Sequence, residues 1–211
     1  MSAQRRRQKK RKLSKAEVWD EVATALGGQI EADRKGKPQR ISFADGDREI
    51  VLDTYTVSTG QSSATYTRVR ALLNGLGKAG QDEFELTVTR RNLFHGLARL
   101  FGIREVPIGY GRFDHTFFVR SNVPNHARSL LRGTNIGRLL LDNPRVKLEV
   151  KRPGKRIRKA AGETIREVHL QTSGVVKDPR RLQDMLRLCS DLLEELVRLD
   201  LATEGSVAAS L

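Results

Sequence analysis

The chain has 211 residues, 38% hydrophobic and 30% charged, with 39 Lys and Arg against 25 Asp and Glu and a net charge of +14. That length allows one large domain or two small ones, and the apolar content is enough for a core, which excludes a wholly disordered chain. A single cysteine, Cys189, excludes an internal disulfide and a thiolate metal centre, and no run of about 18 apolar residues is present to form a transmembrane helix.

Residues 1–13 predict a disordered arm, because Arg5, Arg6, Arg7, Lys9, Lys10, Arg11 and Lys12 repel one another and almost nothing among them is apolar. The arm has the charge of a signal-peptide start, but Leu13 to Asp20 is too polar for its apolar core, so the expected location is the cytoplasm. Ser14-Lys15-Ala16-Glu17 reads as a capping box, followed by Val18, Trp19, Val22, Ala25 and Leu26 at helical spacing and by Gly27-Gly28 as a stop. Residues 39–75 predict an antiparallel meander, turning at Asp45-Gly46-Asp47 and again at Ser58 to Ser63. Residues 76–82 read as a loop, Phe84 to Thr89 as a further strand of the same sheet, and 92–101 as a short helix capped by Asn92.

Ile108-Gly109-Tyr110-Gly111 leads to the apolar Phe117-Phe118-Val119, and Pro124 to Leu131 and Asn135 to Leu141 predict two short helices. Val146, Leu148 and Val150 alternate with Lys147, Glu149 and Lys151, a strand with one charged face. Pro153-Gly154 marks a turn and Glu167 to Thr172 the last strand. Asp178-Pro179 then opens the longest helix, with a stripe of Leu182, Met185, Leu186, Cys189, Leu193, Leu196 and Val197. Leu188, Leu192 and Leu199 lie off that stripe, which predicts either deep burial or a helix shared with a partner or a second copy; burial is favoured, because one domain of this size needs a helix to cover its sheet. The organisation expected is a basic arm over 1–13, one α+β domain over 14–202, and a frayed tail over 203–211. The fold expected is an antiparallel sheet flanked by an N-terminal helix, short mid-chain helices and a long C-terminal helix.

The positive charge is concentrated. Residues 1–15 carry eight cations and no acid, residues 144–160 carry eight cations against Glu149, and the rest of the chain sums to −1. A nearly neutral body with two polycationic elements predicts a polyanionic partner. The second element, Lys151, Arg152, Lys155, Arg156, Arg158 and Lys159, is expected at a hairpin tip or extended loop, where a cationic ribbon can meet phosphates. Both elements also read as solvated charge that only keeps the chain dispersed. No catalytic signature accompanies them. His95, His115, His126 and His169 show no metal-ligand spacing, no nucleophile elbow completes Asp114-His115, and no Gly-Lys-Ser/Thr phosphate loop occurs. No cofactor, metal or enzymatic activity is expected.

The stretch Phe113-Asp114-His115-Thr116-Phe117-Phe118-Val119, the leucine pairs Leu130-Leu131 and Leu139-Leu140, and Gly174 to Pro179 before the leucine-rich helix form an ordered set. This set resembles a bacterial α+β domain family of unassigned function that carries a Phe-Asp-x-x-Phe-x-Val strand motif. The resemblance spans about residues 14–201. It implies Phe113, Phe117 and Val119 in the core, Asp114 as a turn or hydrogen-bonding residue, and no site residues. Members of that family often have membrane helices beside the domain, and here the basic arm stands in that position. The expected function is non-enzymatic binding of a polyanion, nucleic acid first, through backbone and shape rather than base sequence. The alternatives are a peripheral module at an anionic membrane surface, and a protein-interaction or scaffold domain, self-associating through the C-terminal helix, whose charge is incidental.

Overall fold

The computed structural model describes residues 13–75, 84–91, 104–207 and 211. The loop expected over 76–82, the helix expected over 92–101 and the arm up to Lys12 lie outside these residues. Helix α1 (Lys15–Leu26) starts on the predicted capping box: the Ser14 hydroxyl accepts from the Glu17 backbone and the Glu17 carboxylate accepts from the Ser14 N–H. It ends at Gly27, whose φ of 68° is open to glycine without steric cost. Strands β1 (Gln29–Ala32), β2 (Pro38–Asp45), β3 (Arg48–Ser58) and β4 (Ser63–Gly75) follow as the expected meander, with β1 an added edge strand.

Strand β5 (Leu86–Arg90) joins the same sheet, and α2 (Gly111–Thr116) leads into β6 (Phe117–Ser121). Helices α3 (Pro124–Leu131) and α4 (Asn135–Asp142) precede β7 (Lys147–Lys151), the short helix α5 (Lys155–Ala161) and β8 (Ile165–Ser173). Helix α6 (Pro179–Arg198) is capped by Asp178, whose carboxylate accepts from the N–H groups of Arg180 and Arg181, and β9 (Ala202–Thr203) closes onto β4. The sheet order is β1-β2-β3-β4-β8-β7-β5-β6, every pair of strands antiparallel. The class is α+β, as the segment pattern predicts.

Register makes one face of the sheet apolar from edge to edge. Ile41, Leu52, Val69, Leu170, Leu148, Val88 and Val119 are successive cross-strand partners, all buried. Helices α1 and α6 lie on this face, α6 against β3, β4, β8 and α1. Leu188 and Leu192 are buried as favoured, because α6 meets the sheet on one side and α4 on another. Phe113, Phe117 and Val119 are core, and the Asp114 carboxylate accepts from the N–H groups of Ile108, Gly109 and Tyr110, tying the loop before α2 to its own helix. Beyond β9, the carbonyl oxygens of Ser206 and Leu211 accept from Asn74 and Arg40.

Candidate functional site

The arm cations Arg5 to Lys12 lie outside the described residues. Their root is described, and its cation is used by the fold. Lys15 Nζ donates to the Pro38 carbonyl and to Thr54 Oγ1 at 2.9 and 3.0 Å, and stands 3.9 Å from the centroid of the Trp19 ring. Burial pulls its amine below the usual lysine range, with Asp53 and Asp33 acting in the opposite sense. Lys15 is therefore held beside the β3 strand at Thr54.

The second basic element is not the bare hairpin tip or extended loop expected. Between β7 and β8 the chain winds into α5, a seven-residue helix ended by Gly162 at φ 105°. Ile157, Arg158 and Ala161 are its half-buried positions, so one side packs while Lys155, Arg156 and Lys159 face solvent. The structure also divides the predicted set. Lys151 is held by Glu149 at 3.0 Å and Arg158 by Glu163 at 3.1 Å. Lys155, Arg156 and Lys159 are exposed, and Arg152 is exposed with a partner of its own. No acid lies in the first turn of α5, where the helix dipole favours one.

The second face of the sheet carries polar and charged groups. Arg40, Asp53, Arg68, Gln171 and Lys147 form one cross-strand row, and Ser42, Val51, Arg70, His169, Glu149, Thr87 and Arg120 the next. Asp53 receives three hydrogen bonds, from Arg68 Nε and Nη2 and from Arg70 Nη2. Arg70 also reaches Glu167 at 4.0 Å. Glu167 contacts His169 Nδ1 at 3.0 Å, and His169 Nε2 contacts Gln171 Oε1 at 3.2 Å. The Tyr55 hydroxyl donates to that same Oε1 at 2.7 Å, and Arg68 lies 4.4 Å from the Tyr55 ring centroid. The contacts thus close a ring: Arg68, Asp53, Arg70, Glu167, His169, Gln171, Tyr55 and back to Arg68.

Electrostatics on this face follow from the pairing. Burial by itself pushes the Glu167 carboxyl up, but the His169 hydrogen bond and the charges of His169, Lys151 and Arg70 outweigh it and hold Glu167 below the usual carboxylate range. Glu149 is likewise low: burial raises it, and hydrogen bonds from Lys147 and Lys151 overcome that. Burial pushes the Tyr55 phenol up, against the pull of Arg68, so it stays a donor. Burial along the face grades from Leu72 and Glu167, which are buried, to Tyr55, Tyr66, Arg68 and Gln171, which are half-buried, to Val57 and Ala64, which are exposed.

Other titratable groups are absorbed by the fold. Cys189 is completely buried, which pushes its thiol far above the usual range and leaves no nucleophile there. The Asp114 carboxylate is taken by three backbone N–H groups, and His126 packs edge-on against Phe84. Among the described residues, no group of three His, Cys, Asp or Glu side chains could hold a metal ion. Also among them, no helix is long and apolar enough to cross a membrane. The polar ring escapes sequence reasoning because its members come from β3, β4 and β8, which are joined only by register; the alternation of Asp53 with Tyr55 and of Tyr66 with Arg68 and Arg70 was its one local trace. Compared with known families, with curated proteins and with solved structures, the chain finds no match.

Proposed function

We propose that this protein binds a polyanion without catalysis, with nucleic acid as the partner, and grips its phosphates with the arm cations Arg5, Arg6, Arg7, Lys9, Lys10, Arg11 and Lys12 and with Arg152, Lys155, Arg156 and Lys159 around α5. The observation that carries the reading is α5 itself. Four of its seven residues are cations, and Lys155 and Lys159 stand one turn apart, where like charges repel. Among the described residues, Arg158 is the one cation of the helix held in an ion pair, with Glu163. Such a local conflict without compensation is the pattern of a functional surface. Strand spacings place Thr54, beside the root of the arm at Lys15, and Lys151, the end of β7 that leads into α5, roughly 20–25 Å apart across the sheet. A single polyanion of modest length bridges that distance.

Fluorescence anisotropy of labelled mixed-sequence RNA and DNA, between ~50 and ~200 mM salt, tests this. Six to ten phosphate contacts give an affinity loss of about 10³-fold or more over that range. The triple substitution Lys155→Glu, Arg156→Glu, Lys159→Glu weakens binding and flattens the salt dependence by about three contacts' worth. Unchanged affinity and slope in that variant refute the role of α5. Absence of binding at the lowest salt refutes the nucleic-acid reading, and retention of anionic vesicles instead selects the membrane-surface alternative.

A further inference from the structure

Strands β3 and β4 outrun the sheet. Strand β2 pairs with β3 only as far as Asp53, and β8 with β4 only from Thr67. Beyond those limits Tyr55–Ser58 and Ser63–Tyr66 pair with each other, apart from one bridge between Tyr66 and Gly174. The result is a projecting two-stranded ribbon. At its base, on the polar face, the Tyr55 and Tyr66 rings stack with centroids 5.3 Å apart and planes 22° from parallel. The Arg68 guanidinium lies over Tyr55 and is fixed in orientation by two hydrogen bonds to the two oxygens of Asp53. Tyr55 is pinned by its hydroxyl to Gln171. Among the described residues, the Tyr66 hydroxyl makes no hydrogen bond and the Gln171 amide nitrogen has no acceptor, its contacts running through Oε1. This is a rigid, half-exposed π surface with free polar groups at its edge.

We propose that Tyr66, backed by the stacked Tyr55 and Arg68, is a stacking platform for an unpaired base of single-stranded nucleic acid. The inference deepens the polyanion reading and rests on it, since the strand is delivered by the arm, whose root at Lys15 is bonded to Thr54, the residue before Tyr55. Three features favour a base over another occupant. Stacked rings held from behind need no reorganisation to accept a third planar group. Free donors at the edge suit the oxygen acceptors of bases. The cations of α5, roughly 20–25 Å away across the sheet by strand spacing, suit phosphates further along the same strand. A duplex hides its base faces, so the platform discriminates single strands from double strands.

The test uses the full chain and three probes at one salt concentration: a 12-nucleotide oligothymidylate, a blunt duplex, and inorganic polyphosphate of matched charge. The wild type is expected to prefer the oligothymidylate over polyphosphate by about tenfold or more. Tyr66→Leu removes about fivefold or more of the oligothymidylate affinity, leaves polyphosphate affinity unchanged, and Tyr66→Phe restores the loss. Loss of a cross-strand aromatic pair also lowers melting temperature, but that effect does not separate the probes. As a second measurement, ultraviolet crosslinking of 5-iodouracil-substituted oligonucleotide to wild-type protein is expected to label the peptide carrying Tyr66. Equal affinity for oligothymidylate and polyphosphate, or crosslinks confined to other peptides, overturns the platform while the charge-based reading stands. Binding of the oligothymidylate without polyphosphate supports the platform and removes the charge-based reading. Binding of neither overturns both.

Discussion

Asp53 is the keystone of the polar face, and Asp53→Asn tests whether that face is a true buried network. Its carboxylate is 13% exposed and is shared by Arg68 and Arg70, whose side chains are 22% and 11% exposed. Asparagine keeps the shape and one acceptor but leaves two guanidiniums beside each other with Glu167 as the remaining counter-charge of Arg70. Removing one partner of a fully buried ion pair costs about 3–5 kcal/mol. These groups keep some solvent, so the lower end, ~3 kcal/mol, applies. For a chain of this size that corresponds to a fall in melting temperature of roughly 6–12 °C, measured by calorimetry at pH 7. The same variant removes one negative charge from the polar face, so its affinity for oligonucleotide rises at low salt while its stability falls. A loss below about 1 kcal/mol is the size measured for solvated surface pairs. That result would refute the network argument.

Gly137→Ala in α4 sets two effects against each other. Alanine adds helix propensity of ~1 kcal/mol, but its Cβ would lie 2.3 Å from the Leu131 carbonyl oxygen, so the backbone must move. Overpacking of that kind costs ~1–3 kcal/mol, and a net fall in melting temperature is expected; a rise would deny the close approach of α3 and α4. Ser14→Ala removes the capping box of α1 and is expected to cost about 1 kcal/mol by urea titration, with no change in nucleic-acid affinity. Glu149 and Glu167 titrate below their reference value of 4.5 in the folded state. Their contribution to stability is therefore complete above pH 4.5 and is lost as pH falls below it through the lower folded-state values. Stability profiles of Glu149→Gln and Glu167→Gln are expected to fall less steeply below pH 4.5 than that of the wild type; parallel profiles would contradict the depressed values.

The sequence determined what short-range chemistry controls. Ser14 and Glu17, Asp178 and Pro179, and Gly27 set helix ends because caps and left-handed positions depend on a few adjacent residues. Alternation in β5 and β7 set which of their side chains face the core, and the clustering of cations in 1–15 and 144–160 is visible without any fold. Even the deep burial of Leu188 and Leu192 followed from the excess of leucine on α6. Tertiary structure decided the rest. Strand β1 and the two-residue β9 have little pattern of their own and exist because the edges of β2 and of the end of β4 offer unpaired backbone groups. Helix α5 replaced an expected loop because the Ile157 and Ala161 spacing finds a surface to pack on only once β7 and β8 are paired. The polar ring depends on insertion of β8 between β4 and β7, which sets His169 opposite Arg70 and Gln171 opposite Arg68. Register of that kind is fixed by burying the whole apolar row on the other face at once, a long-range condition that no local run of residues encodes.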